Sequence, residues 1–211
     1  YMPFTQSTHY MGLLILLLPI LSLVSRIREK NFSSYENFLW IISLIFLIVG
    51  FGKHFPLLYQ LLFDYAPFFS KFRIPSMIYL ILVFTFSYLT ATSIDYIIKS
   101  NKDQLIKNSQ IVLGTFIGMI IVFFIFGETF FNFSSPGDAR FPNYIQFVQA
   151  IRVDYFNKGL LLSLFISISF LGFIWSYVNS KITKNFFLYS ILAILVTDLW
   201  ILNNEFLSLT K

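Results

Sequence analysis

The apolar residues of this chain gather into continuous runs of about 18 residues or more, the length that crosses the hydrocarbon core of a bilayer. Inside lipid every backbone N–H and C=O must find a partner within the chain, so only helices or closed β-barrels can span. A barrel strand alternates apolar and polar side chains over short segments. These runs do not alternate, which leaves helices. Composition agrees, with 57% hydrophobic residues among 211 and only 12% charged ones, about half the charge of a soluble protein. The fold class is therefore all-α: a polytopic transmembrane helix bundle, read as a single domain over residues 1–211.

The pattern predicts about six spans, near residues 10–25, 38–52, 75–98, 110–127, 159–178 and 186–203, and they read as uninterrupted by proline. The chain opens on Tyr1-Met2-Pro3 without a basic leader, and reads as an internal piece of a longer protein. A net charge of +5 does not point to nucleic acid, because loop Lys and Arg set membrane orientation. Connections 26–37, 99–109 and 179–185 carry eight cations in thirty residues, against six in fifty-three for 53–74 and 128–158. That bias predicts a cytoplasmic first set and extracytoplasmic ends. There is no cysteine, and His9 and His54 are too few for a histidine metal centre, so no metal site is visible and any cofactor stays unassigned.

The two longer connections are too apolar for solvated loops. Between Pro56 and Pro67 the ten residues cannot span, which predicts a short interfacial or re-entrant helix. Residues 143–158 place Tyr144, Phe147, Val148, Ile151 and Tyr155 at helical spacing, a second predicted interfacial helix on the outer face.

Several polar residues stand out against this background. Lys71 and Arg73 precede Pro75, which suits the first turn of a helix. Two cations beside a helix N-terminus form a candidate phosphate site, Arg being able to grip phosphate bidentately. The plainer alternative is that both snorkel to lipid headgroups. Asp198 falls well inside the sixth span, where an ionisable group needs a protein or water partner. It could ligate metal, accept a proton, meet a sugar hydroxyl, or form a structural pair. Arg152 and Asp154 are two apart on one helix and so should engage different partners. His54, beside Lys53, could transfer protons or bind phosphate, or simply be solvated. Asp95 and Lys99 read as an i,i+4 pair, and Gly114 with Gly118 as a close-packing motif.

The opening Pro3-Phe4-Thr5-Gln6-Ser7-Thr8-His9-Tyr10-Met11-Gly12 is similar to the entry into a span in the YfhO-type bacterial integral membrane proteins. Gly52-Lys53 and Pro67-Phe68-Phe69-Ser70-Lys71-Phe72-Arg73-Ile74-Pro75-Ser76 resemble that family's Gly-Lys and Pro-x-x-x-Lys-Phe-Arg-x-Pro-Ser signature. Arg152-Val-Asp154, Asp198-Leu199 and Asn203 also fit, and Ser70 departs from the pattern, which has Asn there. The family looks like part of the lipid-linked-sugar glycosyltransferase superfamily known as GT-C. The resemblance implies a longer protein of the bacterial cytoplasmic membrane, with an extracytoplasmic domain after this piece. Catalytic acids of that superfamily lie in a first outer loop that would precede residue 1, so no catalytic residue is assigned.

The resemblance implies transfer of a sugar from a polyprenyl-phosphate donor to a cell-envelope acceptor. Lys71 and Arg73 would hold the donor phosphate, and His54, Arg152, Asp154 and Asp198 would be polar residues of the cavity. The bilayer is the partner read from composition, and the oligomeric state stays open. A transporter or lipid translocase is the alternative, and would call for inverted repeats and a broken helix near the midplane. A noncatalytic scaffold is the third.

Overall fold

A computed structural model describes residues 10–30, 33–50, 56–65, 79–134, 137–138 and 142–208. These form seven helices: α1 Leu13–Glu29, α2 Ser34–Gly50, α3 Pro56–Tyr65, α4 Tyr79–Lys99, α5 Lys102–Phe130, α6 Ile145–Val178 and α7 Lys184–Ser208, with a short 3-10 turn at Pro142–Tyr144. No strand occurs among the described residues. Four helices, α4 to α7, are long and apolar enough to cross a membrane, and this is an integral membrane protein of the all-helical kind. Helices α1 and α2 have 17 residues each. Contacts divide the chain into two units, Tyr1–Ser100 and Asn101–Lys211.

In the first unit α4 packs against both α1 and α2. Helix α1 buries Leu14, Leu17, Leu18 and Leu21, a stripe at helical spacing. Helix α4 buries Leu82, Thr85, Leu89, Ser93 and Ile97, with small hydroxyl residues among the leucines. Such residues let helices in lipid approach closely and bond across the seam. Thus Ser43 of α2 donates to Thr85 of α4 at 2.8 Å.

Contrary to the reading of uninterrupted spans, Pro19 lies inside α1 and is buried. A proline in a helix supplies no N–H to the carbonyl four residues earlier, here that of Ile15. The hydroxyl of Thr90 on α4 stands 3.1 Å from that Ile15 oxygen and 2.8 Å from the Phe86 oxygen of its own helix, sharing its proton between them. The orphaned carbonyl is met from the neighbouring helix, and α1 runs on to Glu29. There it ends on Lys30 at φ 52, a left-handed cap.

In the second unit α6 packs against α5 and α7. Leu105, Leu113 and Ile120 of α5 are buried, as are Ile166, Phe170 and Ile174 of α6 and Phe187 and Ile191 of α7. Helix α5 begins at Lys102, eight residues ahead of the predicted span, because Asn101 caps it by accepting from the Asp103 N–H at 2.9 Å. The predicted interfacial segment 143–158 and the span from Gly159 are one continuous helix of 34 residues. At 1.5 Å per residue that is about 51 Å, longer than the roughly 30 Å hydrocarbon core. Gly159 lies within it, with no proline nearby to break it.

Between α6 and α7, the N–H of Ser180 bonds to the Tyr177 carbonyl and that of Lys181 to Ser176. Ser180 is at φ 55, left-handed. Thr183 then accepts from the Phe186 N–H at 3.3 Å and caps α7. The rings of Tyr177 and Phe187 stack at 4.7 Å across this turn. Lys102 reaches the same corner, donating to Ser180 at 2.8 Å.

Candidate functional site

Helices α6 and α7 flank an open groove of about 380 Å3 within the second unit. It is lined from α6 by Phe165, Ile166, Ser169 and Phe173, and from α7 by Ala193, Ile194, Thr197 and Asp198, among others. Asp198 is 1% exposed, the most deeply buried ionisable side chain among the described residues. The helix places it there: Asp198, Ile194, Ile191 and Phe187 recur at three- and four-residue steps along one face of α7. Two of the hydroxyls lining the same space bond back along their own helix, and Ser169 also lines it. Ser190 donates to the Phe186 carbonyl at 2.9 Å and Thr197 to the Ala193 carbonyl at 2.7 Å, each back along its own helix. No buried side-chain nitrogen or oxygen among the described residues is left without a partner.

Arg152 sits in a different place. Its two terminal nitrogens donate to the two Asp138 oxygens at 2.6 and 2.7 Å, and one also donates to the Phe133 carbonyl at 2.8 Å. This fork geometry is the strong form of an Arg–carboxylate pair. It fastens the connection after α5 onto α6. Phe131, Phe133 and Phe156 close the same junction, with ring centroids 5.4 Å apart for each of the three contacts except Phe131–Phe133, at 6.4 Å. Gly127 makes room for it, since a Cβ there would lie 2.7 Å from Phe156.

Asp154 faces elsewhere again, bonded to Lys158 at 2.7 Å with both side chains more than half exposed. Arg152 and Asp154 thus have different partners, while neither lines the cavity that holds Asp198. Leu162, the nearest lining residue of α6, is ten positions beyond Arg152, about 15 Å along the helix. Lys71, Arg73 and His54 lie outside the described residues.

A second polar cluster, in the first unit, involves residues that sequence reasoning does not single out. Arg26 donates to Glu36 at 2.9 Å, with both side chains about 15% exposed. Its guanidinium carbon lies 4.5 Å from the ring centre of Tyr96, whose hydroxyl donates to Glu29 at 2.6 Å. Hydropathy assigns Arg26 to the connection 26–37, whereas it belongs to the last turn of α1 and ties α1, α2 and α4 at one end. Its signal is the opposite charge of Glu36 across a short connection. Asp95 and Lys99 pair at 2.7 Å on the surface. Gly114 and Gly118 meet no neighbour: a Cβ on either has nothing within 4 Å among the described residues.

What these features define together is a helical integral membrane protein with a groove between two apolar helices that a buried acid lines. Compared with family models, curated proteins and solved structures, the chain finds no match.

Proposed function

We propose that this chain is the bilayer-embedded piece of a bacterial glycosyltransferase-like protein of the cytoplasmic membrane. In this reading six spans cross the bilayer, with α1 and α2 among them and both ends of the piece outside the cytoplasm. Helix α3 lies along the outer interface, and the first turns of α6, continuous with its span, project beyond the hydrocarbon core on that side. The protein transfers a sugar from a polyprenyl-phosphate donor to a cell-envelope acceptor, and the transfer acids belong to sequence outside this piece.

The observation that carries the reading is the stretch Lys71-Phe72-Arg73-Ile74-Pro75, two cations set directly before a long apolar helix. Cations there offset the charge that accumulates on a departing lipid phosphate as the glycosidic bond breaks. Helix α4, which begins at Tyr79, is the hub of the first unit, packed against both α1 and α2. A phosphate site at its outer end would therefore rest on a rigid support. The unbroken course of α1 through Pro19 lends nothing to a transport reading, which asks for half-helices near the midplane. Arg73→Ala in the full-length protein should abolish envelope sugar modification while insertion and abundance stay at the wild-type level. Retained modification would refute the phosphate role.

A further inference from the structure

The second unit holds its cations in two different ways. Toward the start of α6, Arg152 and Lys158 are both taken up by carboxylates, those of Asp138 and Asp154. At the other end of α6, where α5 and α7 begin, stand Lys102, Lys107, Lys181 and Lys184, all exposed. None of these four forms an ion pair with a carboxylate among the described residues. Asp103 is the one acid in the segments 101–107 and 179–187, which leaves them a net charge of +3. Two helices start here and one ends, so the backbone dipoles add to the positive potential. Like charges left this close repel one another, and an anion from outside the chain relieves that repulsion.

The ammonium groups are drawn in against the helix ends. Lys181 Nζ lies 4.0 Å from the centre of the Trp175 ring. Lys102 Nζ lies 5.6 Å from that of Tyr177 and donates to Ser180 Oγ at 2.8 Å. An ammonium has three donors, so Lys102 keeps two for a ligand. Trp175 and Tyr177 are two apart on α6 and face different sides, which spreads the lysines around the corner instead of closing them on one point. Beside them Trp175, Phe186 and Tyr189 are exposed, and the apolar window of α7 opens at Lys184. Exposed Trp and Tyr at the end of a span mark the headgroup level of a bilayer. Cations at that level with aromatic rings beside them match a phospholipid, phosphate against the lysines and acyl chain against the rings. A soluble anion or an acidic peptide would use the lysines alone. A zwitterionic head brings its own cation, so the charge here favours a lipid with net negative charge.

We propose that the corner formed by the starts of α5 and α7 and the end of α6 is a docking surface for anionic phospholipid. Lys102, Lys181 and Lys184 meet the headgroup phosphates, and Trp175, Phe186 and Tyr189 lie along the upper acyl chains. The surface goes beyond the sugar-transfer reading and stands whether or not the protein transfers sugar. It fixes the depth of α5, α6 and α7 in the bilayer and sets this end of them in the leaflet richer in anionic lipid.

The test uses the full-length protein in phosphatidylcholine nanodiscs that carry a photoreactive phospholipid at low mole fraction. The probe has its reactive group near the glycerol end of the chain and either a phosphatidylglycerol or a phosphatidylcholine head. Peptide mapping compares residues 175–189 with the exposed Val196, Leu199 and Trp200 further along α7. The phosphatidylglycerol probe should label 175–189 about fivefold more than the phosphatidylcholine probe, the factor for one lysine near an anionic headgroup. The two probes should label 196–200 equally. Lys102→Gln, Lys181→Gln and Lys184→Gln together should bring the first ratio to about one, the level of no preference. Lys102→Arg, Lys181→Arg and Lys184→Arg together should keep it, because the charge is kept. All three positions are exposed, so neither set disturbs the packed helices. A ratio equal at both ends of α7, or unchanged in the Gln variant, would overturn the proposal. Loss of the preference on adding millimolar glycerol phosphate would show a site for a free phosphate compound, and loss on adding an acidic peptide a protein-docking surface. Either of those results would overturn the lipid assignment.

Discussion

Removing the Thr90 hydroxyl should destabilise the protein only while Pro19 is present. Thr90→Val keeps the side-chain shape and deletes the group that reaches the Ile15 carbonyl from α4. In that carbonyl's own helix the expected donor is residue 19, which as proline has no N–H. Interhelical hydrogen bonds in membranes average about 0.6 kcal/mol and reach about 1.7. Stranding a buried acceptor costs about 1–3 kcal/mol when nothing replaces the donor. The Thr90 proton is shared with the Phe86 carbonyl, which its own helix already serves, so a value near the middle is appropriate, about 1 kcal/mol. A Pro19→Ala background restores the backbone N–H at that position, which can bond to the Ile15 carbonyl, and Thr90→Val should then cost almost nothing. The cavity left by the proline ring cancels in the double-mutant cycle. The assay is reversible unfolding of the full-length protein in mixed micelles by titration with denaturing detergent. A coupling energy below about 0.3 kcal/mol, the range of simple additivity, would refute the account.

Three further substitutions follow, two of them at the α5/α6 junction. Gly127→Ala would put a Cβ 2.7 Å from Phe156, whose ring is held by Phe131 and Phe133, and should cost about 1–3 kcal/mol in the same unfolding assay. Gly118→Ala, with no neighbour within 4 Å, should be neutral or stabilise by up to about 1 kcal/mol. Arg152→Lys replaces a two-pronged grip by a single ammonium that cannot also hold the Phe133 carbonyl. Amide exchange at Phe131–Ser134 should rise about tenfold, and an unchanged rate would show that the aromatic rings alone fix this segment.

Helix content was legible because apolar runs without alternation admit no other membrane structure. Where the helices begin and end was less so, and the reasons are local. Asn101 lies in a polar, cationic stretch that reads as loop, yet its side chain caps a helix starting at the next residue. The stretch around Lys158 and Gly159 reads as a boundary by hydropathy, and backbone hydrogen bonding runs straight through it. A change from polar to apolar residues marks a change of surroundings rather than an end of helix. Ten-residue α3, by contrast, was legible as an apolar stretch between two prolines, too short to span.

Pairings across helices were the least legible. Asp138 ends a Ser-Pro-Gly-Asp stretch that reads as a turn in the sequence and gives no sign that Arg152, fourteen residues on, will take both of its oxygens. The path of the chain between them decides that, and side-chain types do not encode the path. Within a single helix the pairs were readable, as Asp95–Lys99 shows, because the period alone brings them together.

The polar groups buried in these helices fall into two kinds. Ser43 with Thr85, and Thr90 with Ile15, are neutral groups matched across a helix seam, and a bundle needs nothing else to account for them. Ser167, Ser190 and Ser109 satisfy their hydroxyls on the preceding turn of their own helices, again without calling for a ligand. Asp198 differs from all of these. A hydroxyl in its place could have bonded back along α7 as Thr197 does, at no charge cost. An ionisable group within a span is expensive, and its usual reason is a function that a neutral group would not serve.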